Sequence, residues 1–247
     1  MRRDGKILLA TACFGAVAIW GDTVPASLAS WEAFHVEDIE VRGLRYLEEG
    51  EVVAWLGVAP GTSVWSDTDI WNERLSAHPM IKDARVTRRV PDGLLLQVTE
   101  RTPIALAPTP TLEPIDAEGR RLPIDPAEFR LDLPVIHTTR RPAAGARLFP
   151  EDVRRLAAEV EHLMAADTAF LQRVSSVAWD GRGALVARWT EPSVAFLLPP
   201  QAPAARLREG LGALADAVAK SPGRPPAAID LRYADQVVVR RTPATGS

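Results

Sequence analysis

The chain has 247 residues, a formal net charge of −3, 25% charged residues and 47% hydrophobic ones. These figures describe a globular chain of one or two domains rather than a disordered one, and the missing basic excess argues against a nucleic-acid module. A single cysteine, Cys13, excludes an internal disulfide, a CxxC redox pair and a Cys-rich zinc site.

Arg2, Arg3 and Lys6 precede an uncharged run from Ile7 to Gly21. Such a run is short for a bilayer crossing. Three readings are open. One is a signal anchor oriented by the basic residues, with Ile7, Leu8, Leu9, Phe14, Val17 and Ile19 in the apolar layer and Trp20 at the outer interface. Another is a signal peptide cut at Ser27-Leu28-Ala29. The third is a buried helix. The first two place everything after about residue 30 outside the cytoplasm.

Residues 34–103 read as one α+β unit. Phe34, Val36, Ile39 and Val41 alternate as a strand with a one-residue shift at Glu37-Asp38. Glu48 to Trp55 reads as a helix with Val52, Val53 and Leu56 on its apolar side. Ser66 is the expected N-cap of a second helix through Ala77, with Ile70, Trp71 and Leu75 inward. Ile81 to Val90 is a strand, Pro91-Asp92-Gly93 a turn, and Leu94, Leu96 and Val98 mark the return strand by alternation.

The second half reads as a mainly antiparallel β-domain over 104–241 with two helices. A hairpin pattern runs from Pro103 to Ile124. Glu151 to Ala165 is amphipathic, with Val153, Leu156, Val160 and Leu163 at helical spacing. Val174 to Trp179, Ala184 to Trp189 and Val194 to Leu198 are strands. Ala204 to Lys220 is the second helix, broken by Pro222-Gly223. Ile229 to Tyr233 and Gln236 to Arg240 form a last extended stretch. In it Tyr233, Asp235, Val237 and Val239 share one face, and Arg232, Gln236, Val238 and Arg240 share the other. A C-terminal strand at a sheet edge can accept a partner's strand. Lys82, Arg85, Arg88 and Arg89 form a second candidate surface, although Arg88 and Arg89 cannot share one strand face.

No nucleophile–base pairing, phosphate-binding loop or dinucleotide motif stands in the sequence, and His35, His78, His137 and His162 lack metal-binding spacing. The expectation is a binding protein without catalytic residue, metal, cofactor or small-molecule ligand.

Four pieces carry a resemblance. They are Phe34-x-Val36-x-x-Ile39-x-Val41-x-Gly43, His78-Pro79-Met80-Ile81-Lys82-Asp83-Ala84-Arg85-Val86, Arg88-Arg89-Val90-Pro91-Asp92-Gly93-Leu94 and Val98-Thr99-Glu100-Arg101-Thr102-Pro103. Together they resemble the POTRA domain of the FtsQ/DivIB bacterial cell-division proteins. Asp116-Ala117-Glu118-Gly119-Arg120, Leu133-Pro134-Val135-Ile136 and Ile229-Asp230-Leu231-Arg232-Tyr233 resemble later motifs of that family. The resemblance implies a cytoplasmic tail (1–6), a single inner-membrane anchor (7–21), a POTRA domain with a three-stranded sheet and two helices, the β-domain, and a tail (242–247). It implies extracytoplasmic domains at the division septum. It further implies that FtsB, and through it FtsL, is bound by strand addition at Leu231, Arg232, Tyr233, Asp235, Val237, Val239 and Arg241. Val86, Arg88 and Arg89 would meet upstream division factors through the POTRA domain. Gln236 and Arg241 depart from a glycine and an aromatic often found there in the family. A POTRA-containing export or outer-membrane assembly component is the alternative reading.

Overall fold

The computed structural model describes residues 31–109, 111–138 and 146–241. The anchor residues at 7–21, the Ser27-Leu28-Ala29 site and both tails lie outside the described residues. Among the described residues no helix is long and apolar enough to cross a membrane. The chain divides into two compact units between Arg101 and Thr102.

The first unit contains strand β1 (Asp38–Arg42), helices α1 (Glu49–Leu56) and α2 (Thr68–Ser76), and strands β2 (Ile81–Arg89) and β3 (Gly93–Glu100). The sheet order is β1-β3-β2, with β3 parallel to β1 and antiparallel to β2. Alternation along β3 sends Leu94, Leu96 and Val98 into a core shared with Phe34, Val52, Leu56, Trp71 and Leu75. Two local expectations are corrected. Asp67, not Ser66, caps α2 by accepting the Asp69 N–H at 2.9 Å. Ile70 is 49% exposed rather than inward, because Trp71 and Leu75 alone fill that side of a two-turn helix. The stretch before β1 pairs elsewhere. The Val36 N–H donates to Thr62 O and the Val64 N–H to Phe34 O, so β1 itself starts at Asp38.

Glu100, the last residue of β3, organises the loop after β1. Its carboxylate accepts the backbone N–H groups of Arg45, Tyr46 and Leu47 at 3.0, 2.8 and 2.9 Å. Gly43 starts that loop at φ +93°, where an added Cβ would lie 2.0 Å from Val98 O. Charge-assisted bonds of this kind are worth more than neutral ones. Glu100→Ala is expected to cost about 2 kcal/mol, read as a lower urea midpoint with an unchanged slope.

The second unit is an eight-stranded sheet in the order β11-β10-β9-β8-β7-β6-β4-β5. The strands are β4 (Ala105–Pro108), β5 (Leu112–Ile115), β6 (Val135–His137), β7 (Val174–Trp179), β8 (Leu185–Trp189), β9 (Val194–Leu198), β10 (Ala228–Asp230) and β11 (Val238–Arg240). Helices α3 (Glu151–Ala166), the one-turn α4 (Thr168–Leu171) and α5 (Ala204–Lys220) complete it. The expected mainly antiparallel sheet is instead mixed. Pairs β4–β6, β6–β7 and β9–β10 are parallel. For the last two the physical reason is connectivity, since a helical crossover returns the chain in the same direction. α3 lies between β6 and β7 in the chain, and α5 lies between β9 and β10. The apolar sides of α3 and α5 share one core with the sheet, centred on Phe170, Trp189 and Phe196, whose rings lie 4.9–5.3 Å apart. Asp116 is buried and turns the chain at Gly119 by accepting the Arg120 N–H at 2.7 Å.

Candidate functional site: the C-terminal sheet edge

Among the described residues β11 ends the sheet and has a strand neighbour on one side only, β10. Hydrogen-bond parity shows which groups are left. The Ala195 N–H donates to Ala227 O at 3.0 Å and the Leu231 N–H to Leu197 O at 2.8 Å. The intervening Ile229 therefore faces β9, while Ala228 and Asp230 face β11. Their partners across the pair are Arg240 and Val238. Arg240 O accordingly turns inward, accepting the Ala227 N–H at 2.8 Å. Val239 between them directs its N–H and C=O away from the sheet. Its side chain, with that of Val237, packs on the core.

The expected common faces of the last extended stretch, Ile229 to Tyr233 and Gln236 to Arg240, are corrected. The chain leaves β10 at Asp230, turns through 231–237 and returns antiparallel as β11. Asp235 and Tyr233 thus sit in a turn and do not share a strand face with Val237 and Val239. Leu231 is fully buried and serves the core, so its side chain is not presented to a partner. Tyr233 is 46% exposed, with the Arg232 guanidinium 5.9 Å from its ring centre. Asp235 and Arg241 are also exposed.

Asp230 is the electrostatic centre. Its carboxylate is fully buried. It accepts from Arg232 Nε at 2.9 Å, Arg232 Nη2 at 2.7 Å and Arg240 Nη2 at 2.6 Å. Arg232 Nη1 continues to Asp180 Oδ2 at 3.1 Å, in the turn between β7 and β8. The Arg232 guanidinium holds the Asp230 carboxyl at about 2, against the upward push of burial. Asp230 in turn pushes Arg232 further up. The Ala184 N–H, first among several donors and charges, lowers Asp180. One carboxylate thereby links β10, the turn and β11, and through Arg232 the network reaches the β7–β8 turn.

A second contact holds the turn from the helix side. Arg206, on α5 and 8% exposed, donates from Nε to Leu231 O at 3.0 Å and from Nη2 to the carbonyls of Tyr233 and Gln236. Neither Arg206 nor Asp230 is among the residues the strand pattern nominates. The available signal for Arg206 is a cation in the first turn of a helix, where the macrodipole disfavours it.

The residues expected on the POTRA strand are not brought together. Val86 is buried, and its N–H is taken by Asn72 Oδ1 at 2.9 Å. Arg88 reaches back to Val64 O and Ser66 O, at 3.0 and 3.1 Å, and pins that loop. Arg89 lies on the opposite face, paired with Glu40 of β1, whose carboxyl is lowered chiefly by Arg42. Among the described residues no group of three His, Cys, Asp or Glu could hold a metal ion.

A family model described as "POTRA domain, FtsQ-type" matches residues 34–101. The chain is similar to proteins named cell division protein FtsQ. It is 31% identical to that of Rhodothermus marinus over 219 residues, 85% of this chain and 78% of the relative. It is 35% identical to that of Streptomyces griseus over 155 residues, 61% of this chain and 73% of the relative. The matches to the Myxococcus fulvus and Syntrophotalea carbinolica proteins, both 30% identical, span 42% and 46% of those relatives, less than half their length. A first unit that is α+β with a three-stranded sheet, a matching FtsQ-type POTRA model over it, and similarity running through both units to these relatives place the chain in the FtsQ family of cell division proteins.

Proposed function

We propose that the chain is a bitopic membrane scaffold of the bacterial divisome that links early and late division proteins. Its second unit captures FtsB, and through it FtsL, by strand addition to β11, and so controls septal peptidoglycan synthesis. Residues 7–21 anchor it in the inner membrane with the N-terminus cytoplasmic and both units outside. The observation that carries the reading is the outward-facing backbone of Val239 on an edge strand whose flanking turn exposes Tyr233 and Asp235. Backbone pairing supplies affinity and these side chains supply selection. No bond is made or broken by this protein.

The first unit receives upstream division factors on β2. With Val86 in the core and Arg88 committed to the loop, what β2 offers is its edge backbone beside Ala84 and Arg88 and the exposed side chains of Arg85 and Arg89. Depleting the protein in its native host is expected to give long, undivided filaments with evenly spaced chromosomes. Cells of normal length with an export or envelope-leakage defect would overturn this reading in favour of an export component.

A further inference from the structure

We propose that Arg206 is a positioning residue that holds the 231–236 turn, and with it the β11 edge, ready for an incoming strand. The inference rests on the strand-addition reading above. Three carbonyls, of Leu231, Tyr233 and Gln236, converge on one guanidinium. Carbonyl dipoles aimed at one point repel one another unless a cation sits between them. Arg206 is that cation, and its planar fork of donors reaches all three at once.

Its location shows that the contact is not incidental. Arg206 is the third residue of α5, where the helix dipole opposes a positive charge, and it is 8% exposed, so it has lost most of its water. Glu209, one turn on, pairs with its Nη1 and offsets part of that cost. A residue that breaks a local rule marks a place where tertiary function overrides local preference. The same helix grips the turn a second way. Gly210 leaves the space that Leu231 fills, for a Cβ there would stand 2.5 Å from Leu231 Cδ1. Helix α5 therefore fixes both the backbone and the side chain of Leu231, the first residue after β10.

An edge that is already ordered loses less entropy on pairing, so affinity depends on the fraction of molecules with the turn closed. Lysine keeps the charge but is a point donor and cannot bridge three carbonyls in a plane. In the full chain, Arg206→Lys is expected to leave amide hydrogen exchange in β7–β9 unchanged. It should speed exchange at the inward-facing amides of Val238 and Arg240 about tenfold and slow association with the host's FtsB–FtsL pair about tenfold, as a competent fraction near one-tenth requires. Dissociation should change little, because Arg206 touches no partner. Gly210→Ala keeps Arg206 and pushes Leu231 out of place, and it should move both readouts in the same direction. Unchanged exchange in both variants overturns the proposal. So does faster exchange with undiminished association. A wild-type chain that captures no FtsB removes the strand-addition reading and the proposal with it, whereas a wild type that binds and variants that bind equally well remove the proposal alone.

Discussion

Val239→Pro is expected to abolish capture of FtsB while leaving the second unit folded. Proline lacks the N–H, and its ring blocks close approach along that edge. The lost N–H at 239 faces away from β10, so no bond inside the sheet disappears. Edge strands tolerate proline in that orientation. Capture should weaken at least about a hundredfold, the equivalent of roughly 3 kcal/mol. Val238→Pro is the contrasting variant. Val238 pairs with Asp230, so proline there breaks the sheet's own ladder and should lower thermal stability as well as capture. Circular dichroism melting and surface-immobilised binding separate the two. A folded Val239→Pro protein that still captures FtsB would exclude backbone pairing. If Tyr233→Ala then lost capture, the exposed turn rather than the edge would be the contact.

Acid should loosen this edge through Asp230. Its carboxyl falls from the ordinary 3.8 to about 2 in the folded chain. A lowered value means that the ionised form stabilises the fold. The sign follows directly: the contribution is fully present above about pH 4, falls as pH drops through the interval from about 4 to 2, and is gone below it. Its size is on the order of 2 kcal/mol, less in high salt because the Arg240 side chain is half exposed. Asp230→Asn removes the charge and leaves Arg232 and Arg240 around a neutral group. At neutral pH it should cost about 3 kcal/mol, the usual loss when one partner of a buried pair is removed. It should also flatten the dependence of unfolding free energy between pH 5 and pH 2. An Asp230→Asn protein with the wild-type slope over that interval would assign the acid sensitivity to other carboxylates.

Much of the architecture was legible in the residues because it depends on short-range periodicity. The spacing of Val153, Leu156, Val160 and Leu163 matched the α3 that forms, with all four side chains buried. Alternation of Leu94, Leu96 and Val98 marked β3 and its buried side. The family was legible because four separated pieces of the first unit agreed in spacing, and the relatives bear it out. Alternation misled at 231–237, where Tyr233 and Asp235 continue a strand pattern through a turn. Local alternation records residue polarity, and here Arg206 and Asp230 bend the backbone through contacts 25 or more residues away and across the hairpin.

Periodicity therefore determined by itself that this chain is α+β, with helices α1, α2, α3 and α5 and most strands where they lie. Only the tertiary structure decided which strands run parallel, because direction follows from where each crossover packs. Only it decided that Val86 and Arg88 serve the first unit's interior, because a strand's side chains gain their roles from the helix and loop laid against them. The identity of the outward amide at Val239, and of the cation and carboxylate that hold its edge in place, likewise depended on long-range pairing. Hydrogen bonds between residues far apart in the chain leave no periodic trace in the sequence.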